Sequence, residues 1–332
     1  MSVVTLFPFP GGGGGAVSSG TFRIASGSVT SDLTDFPVRV DLARMPAGFW
    51  AGTNNGEDLR FFSGATELPT DLVYCDTVNE KGEIWVLVPL VDADADTDIT
   101  WEIDGTSSRP AAGDANGMNA VWADYEYVGI PYSDYSDRTG NNSLASSTSV
   151  TYSAPSGGAS QYAGGGQAEV DADKIVYSCA DLAGVFTVSV SFYTELNNQY
   201  HIIGCNTSES GSTNRVHIDV QSGNNVGVWD NNNTWLTTGF DPDTTNWNRA
   251  TTKYNGSTQR KIFCNATYSG TDNTVTSKSG YSTIWLGNSF GTGSGGLRGK
   301  IGWAYIRGEY LSDDWIVAEH NMMADITFCD AV

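Results

Sequence analysis

Apolar residues along this chain recur mainly at every second position, in short runs separated by turns rich in glycine, asparagine and serine. Residues 185–193 show the pattern clearly, because valine and phenylalanine alternate there with threonine and serine. This alternation places the apolar side chains on one face of a β-strand. Similar runs at 36–42, 83–89, 99–103 and 215–220, and few long amphipathic stretches, predict an all-β protein.

The stretch from 247 to 321 contains the densest set of strand and turn signals. Asn255-Gly256 lies between two runs of strand-forming residues, which is typical of a tight hairpin turn. A second pair of strands is predicted at 283–287 and 300–307, joined by a glycine-rich loop. In the latter strand Ile301, Trp303 and Tyr305 alternate with smaller residues, as expected for a strand with one bulky face.

A short helix is predicted directly after these strands. Ser312 can cap its first turn, where Asp313 and Asp314 would lie at the positive end of the helix dipole. Trp315, Ala318 and Met322 follow at helical spacing and therefore share one face of the helix. The pattern therefore predicts a helix that docks on a sheet.

The order of these features resembles the concanavalin A-like lectin/glucanase domain of the laminin-G-like jelly-roll type. The resemblance rests on the tryptophan before the hairpin, the Leu-Gly strand, the glycine-rich loop, the Gly-Lys-Ile strand and the Leu-Ser-x-x-Trp-Ile helix. It implies a lectin-like β-sandwich over residues 167–332 with a short C-terminal helix. It also implies that Trp247 and Trp285 are framework positions used for packing.

The N-terminal part carries a second resemblance. Four motifs, at residues 33–38, 58–62, 67–69 and 84–89, resemble a domain of unknown function that is common in phage structural proteins and bacterial surface proteins. We therefore expect two β-sandwich domains. Residues 21–110 form the first and 167–332 the second, with 111–166 as a connector. We expect the strands of the first domain to follow one another as a meander.

The connector contains a cluster of tyrosines, Tyr125, Tyr127, Tyr132 and Tyr135. Such side chains can stack on sugars, or they can cover the seam between two domains. Both interpretations are compatible with the sequence.

Charge and cysteine content restrict the function further. The 332 residues include 17 Lys and Arg against 38 Asp and Glu, for a formal net charge of −21. Such a surface repels the phosphates of nucleic acids and anionic membranes, so neither is an expected partner. The five cysteines show no metal-binding spacing and are expected to be free thiols. The aspartates at 92–98 lack the glycine and glutamate of a calcium loop, so a solvated turn is expected rather than a metal site.

The first 20 residues differ from the rest of the chain. Val3, Leu6, Phe7 and Phe9 form an apolar tip that is followed by five glycines. The tip could anchor the chain to neighbouring subunits or pack on its own domain. It lacks the basic start and long apolar core of a signal peptide, which suggests a lectin-like protein that is assembled in a host cytoplasm.

Catalysis is not predicted. Related glycosidases use two or more acids on one strand, but here Asp171 with Asp173 and Asp241 with Asp243 fall in turn-like segments. The histidines His201, His217 and His320 come without a nucleophile motif. We therefore expect no enzyme activity and no cofactor.

Binding of a glycan needs only an aromatic platform and a few polar groups on a loop. The best candidate is the loop bracketed by two tryptophans, which consists of Trp229, Asp230, Asn231, Asn232, Asn233 and Trp235. Alternatively, this is an ordinary asparagine-rich hairpin whose tryptophans lie in the core.

These observations predict a non-enzymatic bacteriophage virion protein of the tail or outer particle surface. Its lectin-like domain would bind host-surface glycans or decorate the particle, and its N-terminal segment would contact other virion proteins, with a homo-oligomer expected. The alternative is a secreted or cell-surface bacterial carbohydrate-binding module, and a relative of the glucanases is the third possibility.

Overall fold

The computed structural model divides the chain into two compact units. The first comprises Met1–Ser28, Asp32–Val121 and Thr327–Val332, and the second comprises Val29–Ser31 and Trp122–Ile326. The structure describes residues 18–130, 136–148, 151–152, 166–168, 174–182, 184–195, 200–207, 215–221, 225–230, 235–256, 258–273, 280–287, 297 and 299–332. The predicted anchor residues Val3, Leu6, Phe7 and Phe9 lie outside these ranges.

Most described residues belong to β-strands, which confirms the predicted all-β class. The strands are β1 (Ser18–Ile24), β2 (Leu33–Asp41), β3 (Arg60–Ser63), β4 (Thr66–Glu67), β5 (Thr70–Asp76), β6 (Lys81–Val91), β7 (Thr97–Ile103), β8 (Tyr125–Gly129), β9 (Ser143–Thr148), β10 (Thr151–Tyr152), β11 (Gly166–Ala168), β12 (Lys174–Leu182), β13 (Val185–Thr194), β14 (Tyr200–Asn206), β15 (Arg215–Val220), β16 (Val226–Asp230), β17 (Trp235–Thr237), β18 (Asn248–Asn255), β19 (Gln259–Cys264), β20 (Thr267–Asp272), β21 (Tyr281–Leu286), β22 (Gly299–Arg307) and β23 (Asp330–Ala331). The helices are α1 (Ala47–Gly52), α2 (Met118–Val121) and α3 (Asp313–Ala324), and a 3₁₀ turn spans Leu42–Arg44.

The first unit contains two antiparallel sheets. One has the order β23-β1-β7-β3-β4, and the other has the order β2-β6-β5. The predicted meander is therefore wrong, because β2 pairs with β6, whereas β7 pairs with β1 and β3. The chain changes sheet after β1, β2, β4 and β6, and this lets both sheets bury an apolar face.

The second unit is a sandwich of two larger antiparallel sheets. The first sheet has the order β10-β11-β22-β13-β18-β19-β20, with β8 paired to β22. The second has the order β17-β16-β15-β14-β21-β12-β9. Buried side chains of both sheets form one core, for example Val190 and Phe192 of β13 with Ile218 of β15 and Ile284 of β21. The predicted β-sandwich architecture is confirmed by this packing.

The hairpin predicted around Asn255-Gly256 is confirmed. Strands β18 and β19 are paired from Ala250, which lies opposite Cys264, to Asn255, which lies opposite Gln259. The Thr258 amide donates a hydrogen bond to the Asn255 carbonyl. Gly256 has a φ of 55°, a left-handed conformation that glycine adopts without steric cost. Both strands of the second predicted pair are present, as β21 and β22. They do not pair with each other, because β21 lies in the seven-stranded sheet and β22 in the sheet with β13.

Residues 111–166, which were predicted as a connector, contain α2 and three strands. Strand β8 pairs with β22, and β9 pairs with β12, so this segment supplies strands to both sheets of the second unit. Tyr125 and Tyr127 of β8 are buried within that unit and do not present their rings to a sugar. Tyr132 and Tyr135 lie outside the described residues.

Helix α3 begins and packs as predicted. The Ser312 hydroxyl accepts a hydrogen bond from the Trp315 amide at 3.0 Å, and Asp313 and Asp314 occupy the first turn. Trp315, Ala318 and Met322 are all buried, as predicted.

The contact between α3 and the sheet is polar as well as apolar. Glu319 on the helix is fully buried and accepts hydrogen bonds from Arg249 of β18 and Tyr305 of β22 at 2.8 and 2.6 Å. The indole N–H of Trp315 donates to the other carboxylate oxygen of Glu319 at 3.0 Å.

The remaining predictions about thiols and loops agree with the structure. All five cysteines are free thiols, and Cys205, Cys264 and Cys329 are buried. In the loop at 92–98, the Asp92 carboxylate accepts hydrogen bonds from two amides of its own turn. Among the described residues, none of the helices has the length and apolar character needed to cross a lipid bilayer.

Candidate functional site

A row of aromatic and polar side chains crosses the seven-stranded sheet of the second unit, on the face opposite the core. Strand pairing places Trp235 opposite Trp229, Trp229 opposite His217, and His217 opposite Gly204. Gly204 in turn lies opposite Trp285. Because residues paired across strands point to the same face, these side chains form a continuous outer row.

The exposed end of this row is the predicted tryptophan pair. The rings of Trp229 and Trp235 have centroids 6.0 Å apart, and the Arg215 guanidinium lies 3.6 Å above the Trp229 ring. Trp229 is 8% exposed, whereas Trp235 on the edge strand β17 is 38% exposed. Trp229 is thus a buried support, while Trp235 offers a free aromatic surface.

The other residues of the predicted loop are only partly described. Asp230 is the last residue of β16. Asn231, Asn232 and Asn233 lie outside the described residues. Their contribution to a binding site therefore stays a prediction.

The middle of the row depends on the absence of a side chain at Gly204. A Cβ atom there would lie 2.8 Å from the Trp285 ring and 3.0 Å from the His217 ring. Glycine lets the two rings approach to a centroid distance of 4.6 Å, in an edge-to-face arrangement. Trp285, which the sequence assigned to packing, is buried on this outer face rather than in the core between the sheets.

Beside the row, His201, His217 and Asp219 form a compact polar cluster. The His201 Nδ1 and an Asp219 oxygen are 2.7 Å apart, and the His217 Nδ1 lies 3.8 Å from the second Asp219 oxygen. His217 and Asp219 are 0% and 1% exposed at their side chains, and His201 is 18% exposed. Together the three residues bring their ligand atoms within 4.8 Å of one another.

Burial and charge set the protonation of this cluster. Burial lowers the pKa of His217 to about 4, because its charged form would lose its hydration. Burial alone would raise the pKa of Asp219, but the neighbouring His201 and His217 rings outweigh it and lower that pKa to about 2. Near neutral pH the cluster therefore combines a neutral His217 with a buried carboxylate.

Sequence reasoning placed His201 and His217 on strands but did not join them to Asp219. One signal was present, because Arg215, His217 and Asp219 alternate with three valine or isoleucine residues along β15. Such alternation puts the polar residues on one face. That His201 of β14 faces them depends on strand register, which the sequence does not show.

The acidic pair at Asp241 and Asp243 has a local role. The Asp243 carboxylate accepts hydrogen bonds from the Thr245 amide and the Asn246 side chain, both at 2.6 Å. These contacts lower the pKa of Asp243 to about 2, and the hydrogen bond from the Asn246 side chain contributes most. Asp243 therefore caps a turn. Asp171 and Asp173 lie outside the described residues.

No protein-family model matches the chain, and no curated protein matches its sequence. Solved structures with a related arrangement of strands include the botulinum neurotoxin serotype D binding domain, at 15% identity and a TM-score of 0.47, covering 61% of this chain and 52% of that one. The chain thus matches about half the length of that domain.

Two other solved structures come from carbohydrate-related proteins. Domain 4 of an extracellular GH43 arabinanase from Geobacillus stearothermophilus, in complex with arabinotriose, has 12% identity and a TM-score of 0.47, covering 60% of this chain and 98% of that one. The CBM40 of a Ruminococcus gnavus sialidase, bound to sialyllactose, has 20% identity and a TM-score of 0.35, covering 41% and 83%. At this level of similarity, these structures assign no function or site residue to the chain.

Proposed function

We propose that the second unit is a non-enzymatic carbohydrate-binding module, and that a sugar ring stacks on Trp235. The observation that carries this proposal is the 38% exposure of Trp235 at the end of an otherwise buried aromatic row. An aromatic ring with a free face suits the C–H face of a sugar, and polar groups nearby can select its hydroxyls. Trp229 supports the ring at a centroid distance of 6.0 Å.

Arg215 supplies a polar group beside the tryptophan pair. Its guanidinium is held over Trp229, and the planar donors of an arginine can bind sugar hydroxyls. The net charge of −21 disfavours long polyanionic chains, so we propose a neutral or weakly charged glycan.

The test is binding of the full-length chain to a glycan array, followed by titration of the best ligand. Covering about half of the exposed Trp235 surface with sugar is worth roughly 1.2 kcal/mol, from a tryptophan area of about 250 Å², of which 38% is exposed, and about 25 cal/mol/Å². Trp235→Ala is therefore expected to weaken binding roughly tenfold. Tyr268→Ala, at a second exposed aromatic residue on β20, is the matched control.

Three results would count against this proposal. They are no glycan binding by the intact chain, equal losses in both variants, or release of sugar from a polysaccharide, which would indicate an enzyme. The folded state of each variant is checked by circular dichroism, since Trp235 lies on an edge strand.

The virion role belongs to the same proposal. It is supported by the resemblance of residues 21–110 to a domain that is common in phage structural proteins and bacterial surface proteins, and by the apolar tip that contains Val3, Leu6, Phe7 and Phe9. A bacterial surface or secreted module is the alternative. Sedimentation of the intact chain beside one that lacks residues 1–20 tests the tip: loss of a defined oligomer on deletion supports assembly, and two monomers contradict self-assembly through the tip.

A further inference from the structure

We propose that His201, His217 and Asp219 form a binding site for one divalent transition-metal ion of the zinc class. No metal site is expected from the sequence, on the basis of the cysteines and of the aspartates at 92–98. The three ligands proposed here lie instead on strands β14 and β15. The proposed site does not depend on glycan binding.

The geometry suits a single ion. A tetrahedral zinc ion with ligand bonds of about 2.0–2.1 Å separates its ligand atoms by roughly 3.3 Å. The two nitrogen–oxygen distances in the cluster, 2.7 and 3.8 Å, lie on either side of that separation. Because all three ligand atoms lie within 4.8 Å of one another, side-chain rotations would place them around one ion.

The Asp219 carboxylate supplies the second observation. One of its oxygens is paired with His201, but the other is buried and has no hydrogen-bond donor among the residues that the structure describes. The nearest nitrogen, on His217, is 3.8 Å away, which is beyond hydrogen-bond length. A buried carboxylate oxygen without a donor is costly, and a cation would remove that cost.

The surroundings fix the ligands and select the metal. His217 lies between Trp229 and Trp285, with ring centroids 5.5 and 4.6 Å away, so its ring has little freedom to turn. Two imidazoles and one carboxylate favour zinc, copper or nickel over calcium or magnesium, which take oxygen ligands. His201 is partly exposed and so gives the ion a route of entry. Three protein ligands leave the fourth position of a tetrahedral ion open.

The experiment is calorimetric titration of the full-length chain with Zn²⁺ after treatment with a chelator, repeated with Co²⁺ while visible absorption is recorded. We expect one ion per chain with a dissociation constant of about 1 μM or lower. Asp219→Asn and His201→Gln should each weaken binding by roughly a hundredfold or more, because losing a ligand exceeds the 10–100-fold cost of losing an outer partner. The control variant His320→Gln, at the histidine of α3, should leave zinc binding unchanged.

His201→Gln is the ligand variant expected to disturb folding least, since His201 is the most exposed of the three residues. Circular dichroism establishes that each variant is folded. Three outcomes overturn the proposal: less than about one ion bound at micromolar affinity, equal binding by all variants, or an intense near-ultraviolet band with Co²⁺ that identifies thiolate ligands. A rise in the melting temperature with Zn²⁺ that the chelator reverses, and that His201→Gln lacks, supports the site.

Discussion

Replacing Glu319 with glutamine should free helix α3 from the sheet beneath it, because the carboxylate holds three buried donors. Both Arg249 and Glu319 are almost fully buried, with side-chain exposures of 2% and 0%. Arg249 also packs over the Trp303 ring at 4.7 Å. Removing one partner of such a buried pair costs about 3–5 kcal/mol, mostly because the other charge stays buried without compensation.

The hydrogen bonds indicate why glutamine cannot compensate, although it has nearly the same shape. One carboxylate oxygen accepts from Arg249 and Tyr305, and the other accepts from the indole N–H of Trp315. An amide can accept at only one of these positions. If it accepts from Arg249, its NH₂ group faces the indole N–H, which leaves a buried donor unsatisfied at a cost of about 1–3 kcal/mol.

Hydrogen exchange measured by mass spectrometry on α3 is the appropriate assay, since it reports local opening without assuming that both units unfold together. A loss of about 3 kcal/mol should accelerate amide exchange in α3 roughly a hundredfold. Glu309→Gln is the matched control, because Glu309 is 56% exposed and its partner Arg307 keeps a second carboxylate, Asp124. Loss of this ion pair should therefore cost at most about 1 kcal/mol.

A double variant tests the mechanism. Adding Trp315→Phe to Glu319→Gln removes the unsatisfied indole donor, so exchange should not accelerate further and should slow if that donor dominates. The reasoning is refuted if Glu319→Gln changes exchange no more than Glu309→Gln does.

Two further predictions concern pH and the outer row. Burial, and to a lesser degree Arg249, lower the pKa of His320 from 6.5 to about 4, so the unfolded chain binds more protons between these two pH values. Stability should therefore fall as the pH drops from about 6.5 toward 4, by at most about 1.4 kcal/mol per pH unit. The urea midpoints of the wild type and of His320→Gln should diverge as the pH is lowered through this range. Midpoints that change in parallel with pH would contradict the prediction. Gly204→Ala should cost about 1–3 kcal/mol, because its Cβ would meet the rings of Trp285 and His217, and an unchanged melting temperature would show that these rings can move.

Several elements of the fold are predictable from the sequence because their causes are local. The period-two alternation of 185–193 specifies β13, and Asn255-Gly256 specifies the turn between β18 and β19. The Ser312 hydroxyl caps α3 through a contact that spans three residues. Each signal acts over a few positions, so no knowledge of the remaining chain is needed.

Strand partners were decided by tertiary structure. Strands β21 and β22 are adjacent in sequence, yet they belong to opposite sheets of the sandwich. The sequence placed Ile301, Trp303 and Tyr305 on one bulky face of β22, and this is wrong for Ile301. A register irregularity opposite Val190 and Phe192 puts Ile301 on the core face of the strand. Ala304 and Ile306 face the core between the sheets, while Trp303 and Tyr305 pack around Arg249. The outcome depends on α3, which covers the larger side chains.

The candidate site divides in the same way. The sequence by itself determined the tryptophan pair and the polar face of β15, because pairing across a short hairpin and alternation along one strand are local properties. Only the tertiary structure decided that His201 meets Asp219, that Gly204 makes room for Trp285, and that Trp235 stays exposed. These contacts depend on the register between strands far apart in sequence, and a shift of one residue would move each side chain to the opposite face.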